Sequence, residues 1–225
     1  MSEYDRADFE GVYKGRSLIE SAEIKAVPWE IGAAQPIICE ILDGLTHRVR
    51  LLDVGCGLGR NANAAADRGH EVTAIDTSAT AIESCRANDP SKRISFHVLD
   101  AANTGLTPGF DVIVDSATYH AIPAPKRVAY LTEMRRLATA ATTFHIVTFA
   151  PSIHGMPKPL AIELSEIAEF AEQSGFCVSS VARVEYKGNR AAIEDFCKKK
   201  GLDIRLDDEG RSRLPAWHVT LRTTI

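Results

Sequence analysis

No Cys-x-x-Cys pair occurs in this chain, and its five cysteines (Cys39, Cys56, Cys85, Cys177, Cys197) are scattered without metal-type spacing. That excludes a disulfide framework and a sequence-encoded metal site, and it predicts a reducing compartment. No basic excess is present either. The chain has 26 Lys and Arg against 30 Asp and Glu, for a net charge of −4 and an isoelectric point near 6.0. Such a balance leaves no electrostatic footprint for nucleic acid. No apolar run is long enough to cross a bilayer, and the polar, acidic opening MSEYDRADFE does not read as a secretory leader. Internal repeats and low-complexity segments are also missing. These absences predict a cytoplasmic protein with no nucleic-acid, membrane or metal partner. The bulk composition is ordinary: 45% hydrophobic and 25% charged, as in a soluble globular domain. A length of 225 residues fits one α/β domain with a few additions.

The most informative stretch is LLDVGCGLG, residues 51–59. An apolar run ends at Asp53, and Gly55, Gly57 and Gly59 follow at alternate positions. This pattern predicts a buried parallel strand, a tight turn and a helix start. Glycine suits a backbone that must reach positive φ or approach a ligand closely. The next helix points its free N–H groups and positive dipole end at whatever lies over the loop, so a nucleotide-like ligand with an anionic group is expected there.

Strands and helices alternate from residue 50 onward. Strands are predicted at 50–54, 71–76, 93–100, 110–116, 142–150, 176–186 and 214–223. Helices are predicted after Pro36, after the glycine loop up to Gly69, after the cap Ser78, after Pro123 and Pro125, over 163–175 and over 190–201. Alternating β and α units predict an α/β, doubly wound, Rossmann-like seven-stranded sheet. It should be mostly parallel, with an antiparallel C-terminal strand in an edge hairpin.

Gly57, Gly59 and Ala62 satisfy GxGxxA, and Asp76 follows at a distance that suits a dinucleotide ribose. That reading points to a nicotinamide-dependent oxidoreductase. The fuller pattern is different. Asp53-Val54-Gly55-Cys56-Gly57-Leu58-Gly59 resembles the DxGxGxG loop of class I S-adenosylmethionine-dependent methyltransferases. IDTSATAI (75–82), LDA (99–101) and FDVIVDS (110–116) are similar to the family's next three signatures. All four lie at the carboxyl ends of successive strands, where doubly wound sheets bind ligands. The resemblance implies S-adenosylmethionine as cofactor and S-adenosylhomocysteine as product. It implies cofactor contacts from Trp29, Asp53, Gly55, Cys56, Gly57, Asn61, Asp76, Thr77, Asp100, Ala101, Asp115 and Ser116. Asp76 would take the ribose hydroxyls, Asp100 the adenine amine, and backbone N–H groups at the glycine turn the methionine carboxylate.

VPWEIGAAQP (27–36), DSATYHAI (115–122) and RLPAWHVTLR (213–222) resemble the small-molecule methyltransferases related to thiopurine methyltransferase. The likeness is greatest to the actinobacterial branch that acts on quinones, phenols and quinolone-type heterocycles. It implies that the Pro28-Trp29 segment folds over the cofactor and that DSATYHAI borders the acceptor. Residues 1–48 are then a cofactor-covering lid and 49–225 the catalytic core. Two departures stand out: a longer stretch between Tyr13 and Pro28, and a charged helical segment at 188–213 that looks inserted. Both are expected near the mouth of the site.

The expected reaction is methyl transfer to an O or N atom, or S, of a small aromatic or heterocyclic molecule, by a monomer or homodimer. His120 is the candidate general base, since an unperturbed imidazole titrates near pH 6.5; the alternative is that it only packs or caps. Tyr13, Tyr119, His120 and His154 are the candidate acceptor contacts. His70, His97, His145 and Trp217 read as structural residues. A further alternative is a regulatory module that keeps the cofactor site without catalysis.

Overall fold

The computed structural model describes residues 7–18 and 26–224. Part of the expected long stretch between Tyr13 and Pro28, residues 19–25, lies outside the described residues, as do residues 1–6 of the expected lid and Ile225.

Five-residue α1 (Phe9–Tyr13) and then α2 (Pro36–Asp43) precede the repeating part. Pro36 opens α2, as its fixed φ and missing N–H allow. Then come β1 (Arg50–Val54), α3 (Arg60–Asp67), β2 (Glu71–Asp76), α4 (Ala79–Ala87), β3 (Ile94–Val98) and β4 (Phe110–Ser116). A short 3-10 turn at Tyr119–Ala121 leads into α5 (Ala124–Leu137), β5 (Ala138–Phe149), α6 (Leu164–Gln173), β6 (Phe176–Gly188), α7 (Arg190–Lys200) and β7 (Ser212–Thr223). Four strands differ in extent from the sequence expectation, β6 and β7 by two residues each and β3 and β5 by more. β3 stops at Val98 because Asp100 turns back to accept from the Ala102 N–H at 2.9 Å. β5 starts earlier because Ala138 pairs with Phe110 across a bulge.

The seven strands run in the order β3-β2-β1-β4-β5-β7-β6. β1 to β5 are mutually parallel, and β7 pairs antiparallel with both β5 and β6. The predicted hairpin is therefore present, with β7 inside and β6 at the edge. Alternate residues of the central strands serve opposite faces, as the two-residue pleat requires. Leu51, Val112, Val114 and Val147 pack with α2, α3, α4 and α7, while Leu52, Val54, Ile113 and Ile146 pack with α5 and α6. Strand order reverses between β1 and β4, where Val54 pairs with both Ile75 and Asp115. The carboxyl ends of three strands thus meet at the position where such sheets hold ligands.

The segment ahead of β1 is sewn to the far edge of the sheet. The Gln35 amide pairs with the main chain of Lys187, Nε2 donating to the carbonyl at 2.8 Å and Oε1 accepting from the N–H at 2.9 Å. The Asn189 N–H donates to the Pro28 carbonyl at 2.8 Å. Pro28 and Asn189, which border the two segments expected to depart from the resembled family, therefore meet at this seam.

Candidate active site

The glycine loop leaves β1 with Gly55 at φ 65 and Gly57 at φ 52, in the left-handed region that a Cβ disfavours. The Gly57 N–H donates to Asp76 Oδ2 at 2.9 Å, and the Ser78 N–H donates to Asp76 Oδ1 at 2.8 Å. One carboxylate thereby ties the loops after β1 and β2 together, and burial raises its pKa. Asp53 is 1% exposed, and neither of its oxygens accepts a hydrogen bond. Burial first, then the charges of Asp115 and Asp76, push its pKa up to about 7, with the nearby Ala62 N–H opposing the rise.

A cavity of about 450 Å3 lies over this loop. Its first half is walled by Gly55, Asp76, Thr77, Asp100, Ala101 and Ser116, at the ends of β1 to β4. Phe9, Tyr13 and Trp29 roof it. The Trp29 Nε1–H donates to the Tyr13 hydroxyl at 3.0 Å, and the Phe9 and Trp29 rings lie 5.9 Å apart. The roof is latched by Glu10, whose carboxylate accepts from the Ser78 hydroxyl at 2.5 Å and the Thr80 hydroxyl at 2.7 Å. A negative charge at the start of α4 also suits that helix's dipole.

The second half is almost wholly apolar: Phe149, Met156, Leu160, Tyr186, Ile193 and Phe196, with His120 at the junction. Phe149 and Tyr186 are the aromatics near the carboxyl ends of β5 and β6, packed edge-on at 5.7 Å. α7 brings Ile193 and Phe196, so the segment 188–213 builds a wall of the cavity. Sequence reading missed these residues as site members because apolar residues in strands and helices read first as core. Their signal was position: an aromatic near the carboxyl end of a strand in a doubly wound sheet faces the ligand crevice.

The His120 ring stacks on Phe149 at 4.2 Å, with Nδ1 3.2 Å from the Thr148 hydroxyl. Burial, and then the Arg127 charge, hold its pKa down to about 3. The expected near-neutral titration is therefore corrected: this imidazole is uncharged throughout the physiological range.

Several other expected contacts are redirected. Asp115 is fully buried and saturated, accepting from the Thr118 and Tyr119 N–H groups at 2.7 and 3.1 Å and from the Tyr130 hydroxyl at 2.7 Å. It shapes the turn that carries His120 and does not face the cavity. Tyr119 is 0% exposed and packs against Tyr130 under the Arg127 guanidinium, so it is no acceptor contact. His154 turns away to Asp203, 3.0 Å from its carbonyl oxygen. Asn61 accepts from the Gln35 N–H at 3.1 Å and so fastens α3 to α2. Cys56 is buried beneath the loop, where a hydrogen bond with neighbouring Cys85 and then burial push its thiol pKa up. Tyr130→Phe leaves one acceptor of the Asp115 carboxylate unmet, and is expected to cost about 1–3 kcal/mol in urea denaturation.

The residues present fit S-adenosylmethionine. Asp53 keeps a lone buried carboxylate beneath the loop, outside the cavity wall itself, while Asp76 and Thr77 line the edge nearest the loop and Leu99 and Ala101 provide apolar walls. The GxGxxA spacing has a separate cause, since Ala62 is buried where α3 packs on the sheet.

Comparison with known proteins agrees. A family profile described as a methyltransferase domain matches residues 51–141. The chain is 26% identical to a 2-heptyl-1-hydroxyquinolin-4(1H)-one methyltransferase of Mycobacteroides abscessus, over 96% of this chain and 97% of the relative. A solved structure described for the conversion of a disulfide bond into a thioacetal group during echinomycin biosynthesis superposes with a TM-score of 0.77, at 24% identity, covering 96% and 91% of the two chains. The Burkholderia thailandensis 1,6-didemethyltoxoflavin-N1-methyltransferase, solved with S-adenosylhomocysteine, superposes at 0.61 with 20% identity, covering 84% and 78%. These two likenesses speak for the fold. With residues 51–141 a methyltransferase domain, the protein is a class I S-adenosylmethionine-dependent methyltransferase.

Proposed function

We propose that this enzyme methylates an O, N or S atom of a small, flat aromatic or heterocyclic acceptor in the cytoplasm. The observation that carries the reading is the second half of the cavity, where His120, Phe149, Tyr186 and Phe196 form a mostly aromatic, uncharged wall beside the cofactor half. A planar ring buried there gains apolar contact and aromatic stacking, about 4–6 kcal/mol gross for 150–250 Å2. The hydroxyquinolone methyltransferase of M. abscessus, similar along its whole length, acts on a molecule of this shape.

Bound S-adenosylmethionine supplies a sulfonium methyl that is already activated. The protein's part is to align the acceptor and keep water out. Asp76, Thr77, Asp100, Ala101 and Ser116 hold the cofactor, Tyr13 and Trp29 cover it, and the described part of the segment before residue 49 serves as the lid. Incubation with methyl-labelled S-adenosylmethionine and a panel of hydroxyquinolones, phenols, thiophenols, sugars and aliphatic alcohols is expected to label at least one aromatic and no sugar. Binding of S-adenosylhomocysteine without transfer to any aromatic overturns the reading.

A further inference from the structure

We infer that the acceptor atom enters this cavity already ionised, so that the substrate is an acidic nucleophile: a thiol, an N-hydroxy heterocycle or a vinylogous acid. The inference rests on the aromatic-acceptor reading above.

Among the described residues, the titratable side chains that line the cavity are Tyr13, Asp76, Asp100, His120, Lys126 and Tyr186. Asp76 is committed to the Gly57 and Ser78 N–H groups. Asp100 holds the Ala102 N–H on the cofactor side. The Tyr13 oxygen lies under Trp29. Tyr186 stays a neutral phenol, because burial raises its pKa. Lys126, exposed at the rim, is a cation. His120 is left.

Every element around His120 disfavours an imidazolium. From α5, the Arg127 guanidinium lies 3.5 Å from the His120 carbonyl oxygen. From α6, Glu166 is paired to that guanidinium and not to the imidazole. From β4, Asp115 spends its oxygens on Thr118, Tyr119 and Tyr130. From β5 come the Thr148 hydroxyl and the Phe149 ring face. β6 adds the Tyr186 phenol to the same wall. Among the described residues no carboxylate contacts the ring, so the partner that would stabilise a charged base, as in a His–Asp pair, is missing. The burial that keeps this imidazole neutral follows from the same geometry.

The same surroundings suit an anion. The Tyr186 hydroxyl and the Lys126 ammonium are donors at the cavity wall. In the transfer, the acceptor's lone pair forms the bond to the methyl carbon as the carbon–sulfur bond breaks. The negative charge of the acceptor and the positive charge of the sulfonium cancel, and no proton has to be moved.

The test is the pH profile of kcat/KM with thiophenol, 4-nitrophenol and unsubstituted phenol as acceptors. The inflection is expected to follow each acceptor's own pKa. Unsubstituted phenol, with a pKa of about 10 like a tyrosine, should be at least about tenfold slower at pH 7 than 4-nitrophenol. His120→Gln should lower the rate while leaving each inflection where the acceptor sets it. One inflection shared by all acceptors and abolished in His120→Gln overturns the inference, as does a preference for unionised phenol or aliphatic alcohols at pH 7. No turnover of any acceptor despite binding of S-adenosylhomocysteine overturns the aromatic-acceptor reading and this inference with it.

Discussion

Gly55→Ala is expected to abolish measurable binding of S-adenosylhomocysteine and to cost about 2–5 kcal/mol of folding free energy. Two physical costs add. The backbone at Gly55 sits at φ 65, where an L-residue pays about 1–2 kcal/mol. The new Cβ would lie 2.0 Å from Thr118 Oγ1 and 3.0 Å from Thr118 Cβ, and such overpacking typically costs another 1–3 kcal/mol. Thr118 has little room to yield. Its hydroxyl donates to the Val54 carbonyl at 2.9 Å and its N–H to Asp115 at 2.7 Å. Pushing it away displaces the turn that carries His120, so the cofactor and acceptor halves fail together. Calorimetric titration and urea denaturation measure the two effects. Thr118→Ala removes the atom in the way, so the double variant should recover part of the lost stability, a coupling of more than about 0.5 kcal/mol. Full binding by Gly55→Ala alone would show that the loop tolerates a side chain, and the close approach would lose its meaning.

The same loop shows which parts of the molecule were legible before any coordinates. β1, the glycine turn and Asp76 could be read because their signals are local: an apolar run, glycines at fixed spacing, an acid at the end of the next strand. The antiparallel edge followed from two consecutive strands near the C-terminus. The acceptor wall could not be read this way. Phe149, Tyr186 and Phe196 are far apart in sequence and meet only because β7 inserts between β5 and β6, placing the ends of β5 and β6 and the start of α7 around one cavity. In DSATYHAI the sequence located a turn that lines the cavity but not the direction of each side chain. In a 3-10 turn successive residues point about 120° apart. Tyr119 therefore enters the core while its neighbour His120 faces the cavity. His154 was placed at the correct edge of the sheet, and a contact with Asp203 decided its direction. The near-neutral imidazole was misjudged for the same reason: burial against Phe149 and the presence of Arg127 are tertiary facts.

Asp53→Asn is expected to make the ligand-free protein more stable and a poorer binder, with both effects depending on pH. In the folded chain the Asp53 carboxyl titrates at about 7, against about 3.9 when unfolded. Between those values the native state holds a proton that the unfolded state has released. Stability therefore falls as pH rises through this window and levels off above it. At about 1.4 kcal/mol per unit, the ionised carboxylate costs roughly 4 kcal/mol at pH 8. A buried amide without partners costs about 1–3 kcal/mol, so Asp53→Asn should gain about 1–3 kcal/mol at pH 8 and nothing at pH 5. Measuring the variant against the parent at each pH cancels the opposing contribution of His120 and His145, whose lowered pKa values destabilise the fold on acidification. A carboxylate kept unpaired at such cost implies that a positive group completes the site, and the ammonium end of the cofactor's methionine portion is the chemical match. Affinity for S-adenosylhomocysteine should therefore rise at least about tenfold from pH 5 to pH 8 in the parent, with proton release seen as buffer-dependent binding heat. It should stay flat and weak in Asp53→Asn. Equal stability and equal pH dependence in the two proteins would mean that Asp53 is satisfied without the cofactor, and its place in the site would reduce to holding the turn.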